Sequence, residues 1–288
     1  MKAMPSGANS ASEFWALREL QHRNIVRLRE AFEHDAYLVM ELCRGGTLMQ
    51  WIRDQFEKHL GKEVYMPPST KQVGQCLWQV LDAIQYLHSL NIVHRDVNTQ
   101  NLLLAQAGVR NHHPKPCLKC ELLSRYSSPE VKAMRPQAPP ESVDPTQGGS
   151  RMQLKLADFN LATEVQGEFL TQCCGTPGFM APEVLQCHYS KLCDVCSAGV
   201  VFYQIVKGER LWRQVDTIAA HYKDVLDETP LKLESTAAWS RHGAGALSLA
   251  QELLSLEAQG RPTAAAAMEN PWLQKHALGA EQGCCAIS

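Results

Sequence analysis

The sequence of 288 residues lacks any uninterrupted apolar run of the roughly 18 residues that a membrane-spanning helix requires. Its opening, MKAMPSGANSASEF, lacks the apolar core of a secretory signal, so the expected compartment is cytoplasmic. Charge of one sign is also missing in excess. The chain has 28 Lys and Arg against 30 Asp and Glu, a net charge of −2, which gives no bulk attraction for nucleic acid. There is no internal repeat. What remains is a balance of 45% hydrophobic and 20% charged residues, which suits a globular protein and excludes a long disordered polyampholyte. The length accommodates one large domain or two lobes.

Eleven cysteines without an export signal argue against a disulfide framework. Cys43, Cys76, Cys187, Cys193 and Cys196 stand singly among apolar residues, as small buried thiols do. Two clusters differ from them. His112, His113, Cys117 and Cys120 are four residues of zinc-ligand type, but they are crowded and have no flanking hairpin pattern, so they read as an unliganded loop. The terminus Cys284-Cys285-Ala286-Ile287-Ser288 fits the C-a-a-X prenylation signal at Cys285, with Ser favouring farnesyl. One prenyl chain anchors weakly, and no polybasic run precedes it, which makes Cys284 the candidate for a second, palmitoyl chain. The expectation is a domain held at a membrane by lipid rather than embedded in it.

Periodicity predicts a short helix over Glu13–Gln21, strands over Asn24–Arg29 and Ala36–Leu42, and a break at Gly45-Gly46. Thr70–Leu90 has Val73, Leu77, Val80, Leu81, Ile84 and Leu87 on one stripe and reads as an amphipathic helix. Residues 105–151 are rich in Pro, Ser, Gln and charge, and read as a mobile insertion. A strand follows in MQLKLA. Helical segments are then expected over about 181–207, 214–226, 244–256 and 263–276.

Three short segments bear the chemistry: His94-Arg95-Asp96-Val97-Asn98-Thr99-Gln100-Asn101, Asp158-Phe159-Asn160, and Cys174-Gly175-Thr176-Pro177-Gly178-Phe179-Met180-Ala181-Pro182-Glu183. A lone loop carboxylate is usually a cap or turn residue. Together, in this order, the segments resemble those of the eukaryotic protein kinases, and the likeness runs from about Glu13 to His276.

That resemblance implies an α+β, bilobal fold with a mainly helical large lobe, and ATP and Mg²⁺ as cofactors. It makes Asp96 the acceptor of the substrate hydroxyl proton, and Asn101 and Asp158 the metal ligands. Arg95, Asn98 and Thr176 complete the catalytic set. Met40 becomes the gatekeeper, the backbones of Glu41 and Cys43 the adenine contacts, Leu103 the residue beneath adenine, and Glu13 the C-helix carboxylate. Glu183 is expected to pair with Arg261, and Asp194 to lie on the helix supporting the catalytic loop, with Cys196 in place of the usual Trp. Thr176-Pro177-Gly178-Phe179 is similar to the substrate loop of serine/threonine kinases rather than tyrosine kinases, and the nearest groups are the calcium/calmodulin-like and related cytosolic serine/threonine kinases.

Four departures qualify the likeness. No Gly-rich loop precedes Glu13 and the only upstream lysine is Lys2, so the small lobe is expected to be cut short, without the phosphate-clamping Lys. Asn98 replaces the Lys that neutralises the γ-phosphate, which weakens transition-state stabilisation. Asn160 replaces a Gly, tolerably, since Asn accepts left-handed backbone. Gln172 occupies the usual activation phosphosite, leaving Thr171, one residue earlier, as the candidate.

The expected organisation is therefore a disordered segment 1–12, a kinase-like domain 13–276 and a lipidated tail 277–288. Within the domain, 13–43 forms a partial small lobe and 44–276 the large lobe, which contains the insertion. The function expected is a protein serine/threonine kinase acting on protein substrates, catalytically compromised as written. The alternative is a membrane-tethered pseudokinase scaffold.

Overall fold

Ser69 ends a coil and begins a helix by a reciprocal exchange: its hydroxyl accepts from the Gln72 N–H while the Gln72 side chain accepts from the Ser69 N–H. The helix it starts, Thr70–Ser89, is the longest described in this computed structural model, which describes residues 2–3, 16–32, 37–57, 68–105, 152–212, 217–227, 233 and 236–278. Its expected stripe is buried throughout, and it packs against helices Leu192–Lys207, Ala264–Met268 and Pro271–Ala277. Close approach of the last is possible because residue 74 is glycine: a Cβ there would stand 2.9 Å from that of His276.

The small lobe is an antiparallel sheet in the order β1-β3-β2, with β1 at Lys2–Ala3, β2 at Leu28–Phe32 and β3 at Tyr37–Met40. Two corrections follow. The segment 1–12, expected to be disordered, contributes β1, in which Lys2 lies opposite Leu38. The strand expected at Asn24–Arg29 starts only at Leu28, because residues 24–26 are engaged elsewhere. The Leu156 N–H donates to Asn24 O (2.8 Å), the Val26 N–H donates to Leu156 O (2.9 Å), and the Asn24 amide donates to Leu154 O (2.7 Å). Residues 16–19 are helical; Glu13 lies outside the described residues.

Two short ladders carry the loops at residues 94–101 and 158–160. Strand β4 (Ile92–Val93) pairs with β7 (Thr163–Glu164), and β5 (Leu102–Leu104) pairs with β6 (Leu154–Leu156). Helix Leu192–Lys207 behind them is buried on nearly every face and stops at Gly208, whose φ of 71° places it in the left-handed region.

The expected helix 181–207 is two helices, Pro182–Leu185 and Leu192–Lys207, separated by a turn in which Cys187 has φ 56°. The expected helix 263–276 is likewise divided, because Asn270 caps a new start and Pro271 cannot donate into the preceding turn. The 214–226 expectation is met at Ile218–Asp227 and the 244–256 expectation at Ala244–Leu253, while Ala237–His242 was not expected.

The compact unit comprises residues 1–106 and 152–288. The insertion beyond Ala105, with His112, His113, Cys117 and Cys120, and the tail with Cys284 and Cys285 lie outside the described residues. Among the described residues no helix is long and apolar enough to cross a membrane.

Candidate active site

The site is assembled on a single buried carboxylate. Asp194, at the start of helix Leu192–Lys207, is fully buried and accepts from the backbone N–H of His94 and of Arg95, both at 2.8 Å. His88 Nε2 lies 3.1 Å from the same carboxylate, and this hydrogen bond holds the Asp194 pKa below the ordinary carboxylate value despite burial. These bonds fix Arg95 at φ 65°, a conformation uncommon for a non-glycine residue.

His94 is buried, and burial depresses its pKa, so the ring is neutral near pH 7. Its Nε2 faces Ala157 O at 3.2 Å and its Nδ1 accepts the Asp96 N–H at 3.2 Å. The ring meets Phe159 edge-on, with centroids 4.7 Å apart, joining the 94–101 loop to the Asp158-Phe159 turn.

Asp96 is the centre of this loop. Its Oδ1 accepts from Asn98 Nδ2 (3.0 Å), the Thr176 N–H (3.0 Å) and the Thr176 hydroxyl (2.5 Å), and its Oδ2 accepts from Asn101 Nδ2 (2.8 Å). Asn98 bridges further, donating to Thr176 Oγ1 (3.1 Å) and accepting from the Gln100 and Asn101 N–H groups (2.9 and 3.0 Å). Thr176 approaches because residue 175 is glycine: φ is 126°, and a Cβ would stand 2.8 Å from Arg95 O.

Asn101 and Asp158, far apart in sequence, arrive together through the β5–β6 ladder. Leu102 pairs with Leu156, and the Ala157 N–H donates to Asn101 O at 2.8 Å. Asp158 has φ 64°, and the left-handed residue of this turn is Asp158 rather than Asn160, where sequence reasoning placed it. One carboxylate and one amide oxygen are hard donors, sufficient for Mg²⁺ that takes its remaining ligands from phosphate and water. The Asn101 Nδ2 is committed to Asp96, so the amide oxygen is the atom available to a metal. Among the described residues no cluster of three His, Cys, Asp or Glu forms a dedicated metal cage.

At the other end lies the hinge. The Glu41 N–H donates to Arg27 O (2.9 Å), which restricts the expected backbone contribution of Glu41 to its carbonyl. The Glu41 carboxylate accepts from the Arg27 N–H (2.8 Å) and pairs with Lys155 Nζ (2.7 Å), linking the hinge to β6. Cys43 is half-buried and its thiol pKa is raised, by burial first and then by the charge of Glu41. Leu103 is half-exposed between the buried Leu102 and Leu104, on the open face of β5. Met40 ends β3 and packs against the main core.

The supporting ion pair is present: Arg261 donates to both carboxylate oxygens of Glu183, NH2 reaching Oε2 at 2.7 Å and NH1 meeting Oε1, with both residues buried. Cys196, the residue in place of Trp, is buried. Arg95 donates through Nε to Leu161 O (2.6 Å) and through NH1 to Gln172 Oε1 (3.1 Å), and the Tyr189 hydroxyl donates to Gln172 O (2.6 Å).

Sequence reading missed Tyr189 and Lys155 and gave Gln172 no partner. Only Gln172 had a signal, since an amide at a phosphate position is itself an acceptor for Arg. Cys187, expected to be buried, is exposed on the turn after Pro182–Leu185.

Comparison with known proteins agrees with this geometry. The protein kinase domain model matches residues 2–273. The chain is 30% identical over 269 residues to calcium/calmodulin-dependent protein kinase type II of Caenorhabditis elegans, covering 89% of this chain and 29% of that protein. It is 27% identical over 283 residues to calcium/calmodulin-dependent protein kinase type 1 of Macrobrachium nipponense (94% and 64%), and 30% identical over 272 residues to serine/threonine-protein kinase DCLK2 of Mus musculus (92% and 29%). The chain thus spans less than two thirds of the length of these curated relatives.

Proposed function

The chain belongs to the protein kinase domain family, and from that premise we propose that it transfers the γ-phosphoryl group of ATP to serine or threonine hydroxyls of protein substrates, at a reduced rate in the sequence as written. The observation that supports this reading most directly is the Asp96 carboxylate. Its Oδ1 is occupied by three donors, whereas Oδ2 takes one from Asn101. A carboxylate oxygen has two lone pairs, so Oδ2 retains one to receive and orient a substrate hydroxyl. Asn101 and Asp158 are the residues that would hold Mg²⁺, which when bound supplies charge neutralisation for the phosphates.

The rest is positioning. Asp194 sets the loop backbone, Gly175 lets Thr176 reach Asp96, and the Glu41 carbonyl with the Cys43 backbone forms the hinge edge for adenine, above Leu103. The reduced rate follows from Asn98, which places a neutral amide where a cation would offset phosphate charge. The test is Mg²⁺-dependent incorporation of labelled γ-phosphate into serine and threonine of a mixed peptide library, lost in Asp96→Asn.

The same Asn98 favours a second reading, a pseudokinase scaffold held at a membrane by prenylation of Cys285 with palmitoylation of Cys284. Membrane partitioning in cells that is abolished by Cys285→Ser supports the tether; partitioning that survives this change excludes it. Measured Mg·ATP affinity without phosphotransfer selects the scaffold.

A further inference from the structure

A lysine is buried in strand β6. Lys155 stands between Leu154 and Leu156 and is only 9% exposed. A lysine so enclosed needs a counter-charge. It has one at the hinge: Lys155 Nζ meets Glu41 Oε1 at 2.7 Å, with both side chains largely buried. Register gives the pair its place. Lys155 lies directly opposite Leu103 in the β5–β6 ladder, and opposed residues of an antiparallel pair project from the same face. Lys155 therefore leaves β6 on the face where Leu103 is half-exposed, and its ammonium ends at Glu41.

Glu41 is fixed on two other sides. Its Oε1 also accepts the Arg27 N–H (2.8 Å), and its own N–H donates to Arg27 O (2.9 Å). Beyond it the chain is strapped to β5. The Arg44 N–H donates to Ala105 O (3.3 Å), the Gly45 N–H to Leu104 O (2.9 Å), and the Leu104 N–H to Gly46 O (2.9 Å). These backbone bonds hold the hinge from residue 44 onward; at Glu41 the tie to the ladder is the Lys155 side chain. The same strand leads directly into Asp158, so this lysine fastens the hinge to the segment carrying a proposed metal ligand.

We infer that Lys155 is a positioning residue for the nucleotide: its ion pair with Glu41 holds the hinge backbone at the spacing from Leu103 that an adenine ring requires. The inference rests on the nucleotide-binding reading given above and names what sets the width of the adenine slot. Lys155 acts through Glu41 and not on the phosphates. Loss of its charge releases the hinge at Glu41, whereas the bonds that hold Asp96 to Asn98, Asn101 and Thr176 stay in place. The effect therefore falls on nucleotide affinity and not on the transfer step.

The full chain and three variants, Lys155→Met, Lys155→Arg and the double change Lys155→Met with Glu41→Gln, are titrated calorimetrically with Mg·ATP and with adenosine. Lys155→Met is expected to weaken both ligands by the same factor, roughly tenfold, the worth of one hydrogen bond between charged groups. Lys155→Arg, which keeps the charge, retains most of the affinity. The double variant leaves no buried charge unpaired and still binds weakly, so it decides the matter if melting temperatures show that Lys155→Met does not fold. In phosphotransfer, KM for ATP rises by the same factor while kcat is kept. Equal affinity in Lys155→Met, a loss confined to Mg·ATP, or a double variant with unmutated affinity overturns the inference and leaves the nucleotide reading standing. An unmutated chain that binds neither ligand overturns both.

Discussion

Asn98 donates its side-chain amide to the Asp96 carboxylate at 3.0 Å, and the same nitrogen lies 3.1 Å from the Thr176 hydroxyl. It thus bridges the loop carboxylate and the substrate loop without bringing charge. Asn98→Lys is expected to raise the phosphotransfer rate, because a cation there offsets charge developing on the transferred group. Asn98→Ala is expected to lower it and also to destabilise the loop, since Asn98 Oδ1 accepts from the N–H groups of Gln100 and Asn101. Leaving such donors unsatisfied costs about 1–3 kcal/mol. Steady-state kinetics together with urea denaturation separate the two effects.

Arg261 and Glu183 form a buried, two-pronged ion pair. Removing one partner leaves a desolvated charge, so Arg261→Ala is expected to lower unfolding free energy by about 3–5 kcal/mol. The double replacement Arg261→Met with Glu183→Leu is expected to recover part of that loss. Chemical denaturation of the three variants gives the comparison.

Stability should also fall in mild acid. Burial, followed by the charges of Arg241 and His276, pushes the His242 pKa down from 6.5 to about 4. The folded chain thus resists a proton that the unfolded chain accepts. The stabilisation is complete above pH 6.5 and is lost as pH falls towards 4, by about 3 kcal/mol at most. The geometry agrees: Nδ1 is held by Thr70 Oγ1 (3.1 Å), whereas Nε2 is buried with no partner for an added proton. Unfolding free energy measured from pH 7.5 to 4.5 should decline, and His242→Asn should flatten that decline.

Local pattern carried part of this account. The stripe and cap of Thr70–Ser89 are properties of a few adjacent residues, and they were legible. The same holds for Asp96, Asn101 and Asp158, whose residue types and order point to one chemistry before any fold is known. What stayed hidden depends on distant partners. Residues 24–26 look like strand, but they bond to Leu154 and Leu156 from another part of the chain. Two residues of β1 are too few for a period to register. Gln172 and Tyr189 acquire meaning only when Arg95 reaches them. Cys187 looked buried from its neighbours, yet the turn that breaks the expected helix exposes it.

The most direct test of the central claim is transfer of labelled γ-phosphate by the full chain in Mg·ATP, compared with its Asp96→Asn variant. Slow incorporation into serine and threonine that disappears in Asp96→Asn and in the presence of chelator is the predicted result. Incorporation equal in both proteins, or absent from the unmutated chain at saturating Mg·ATP, contradicts a catalytic role for this site.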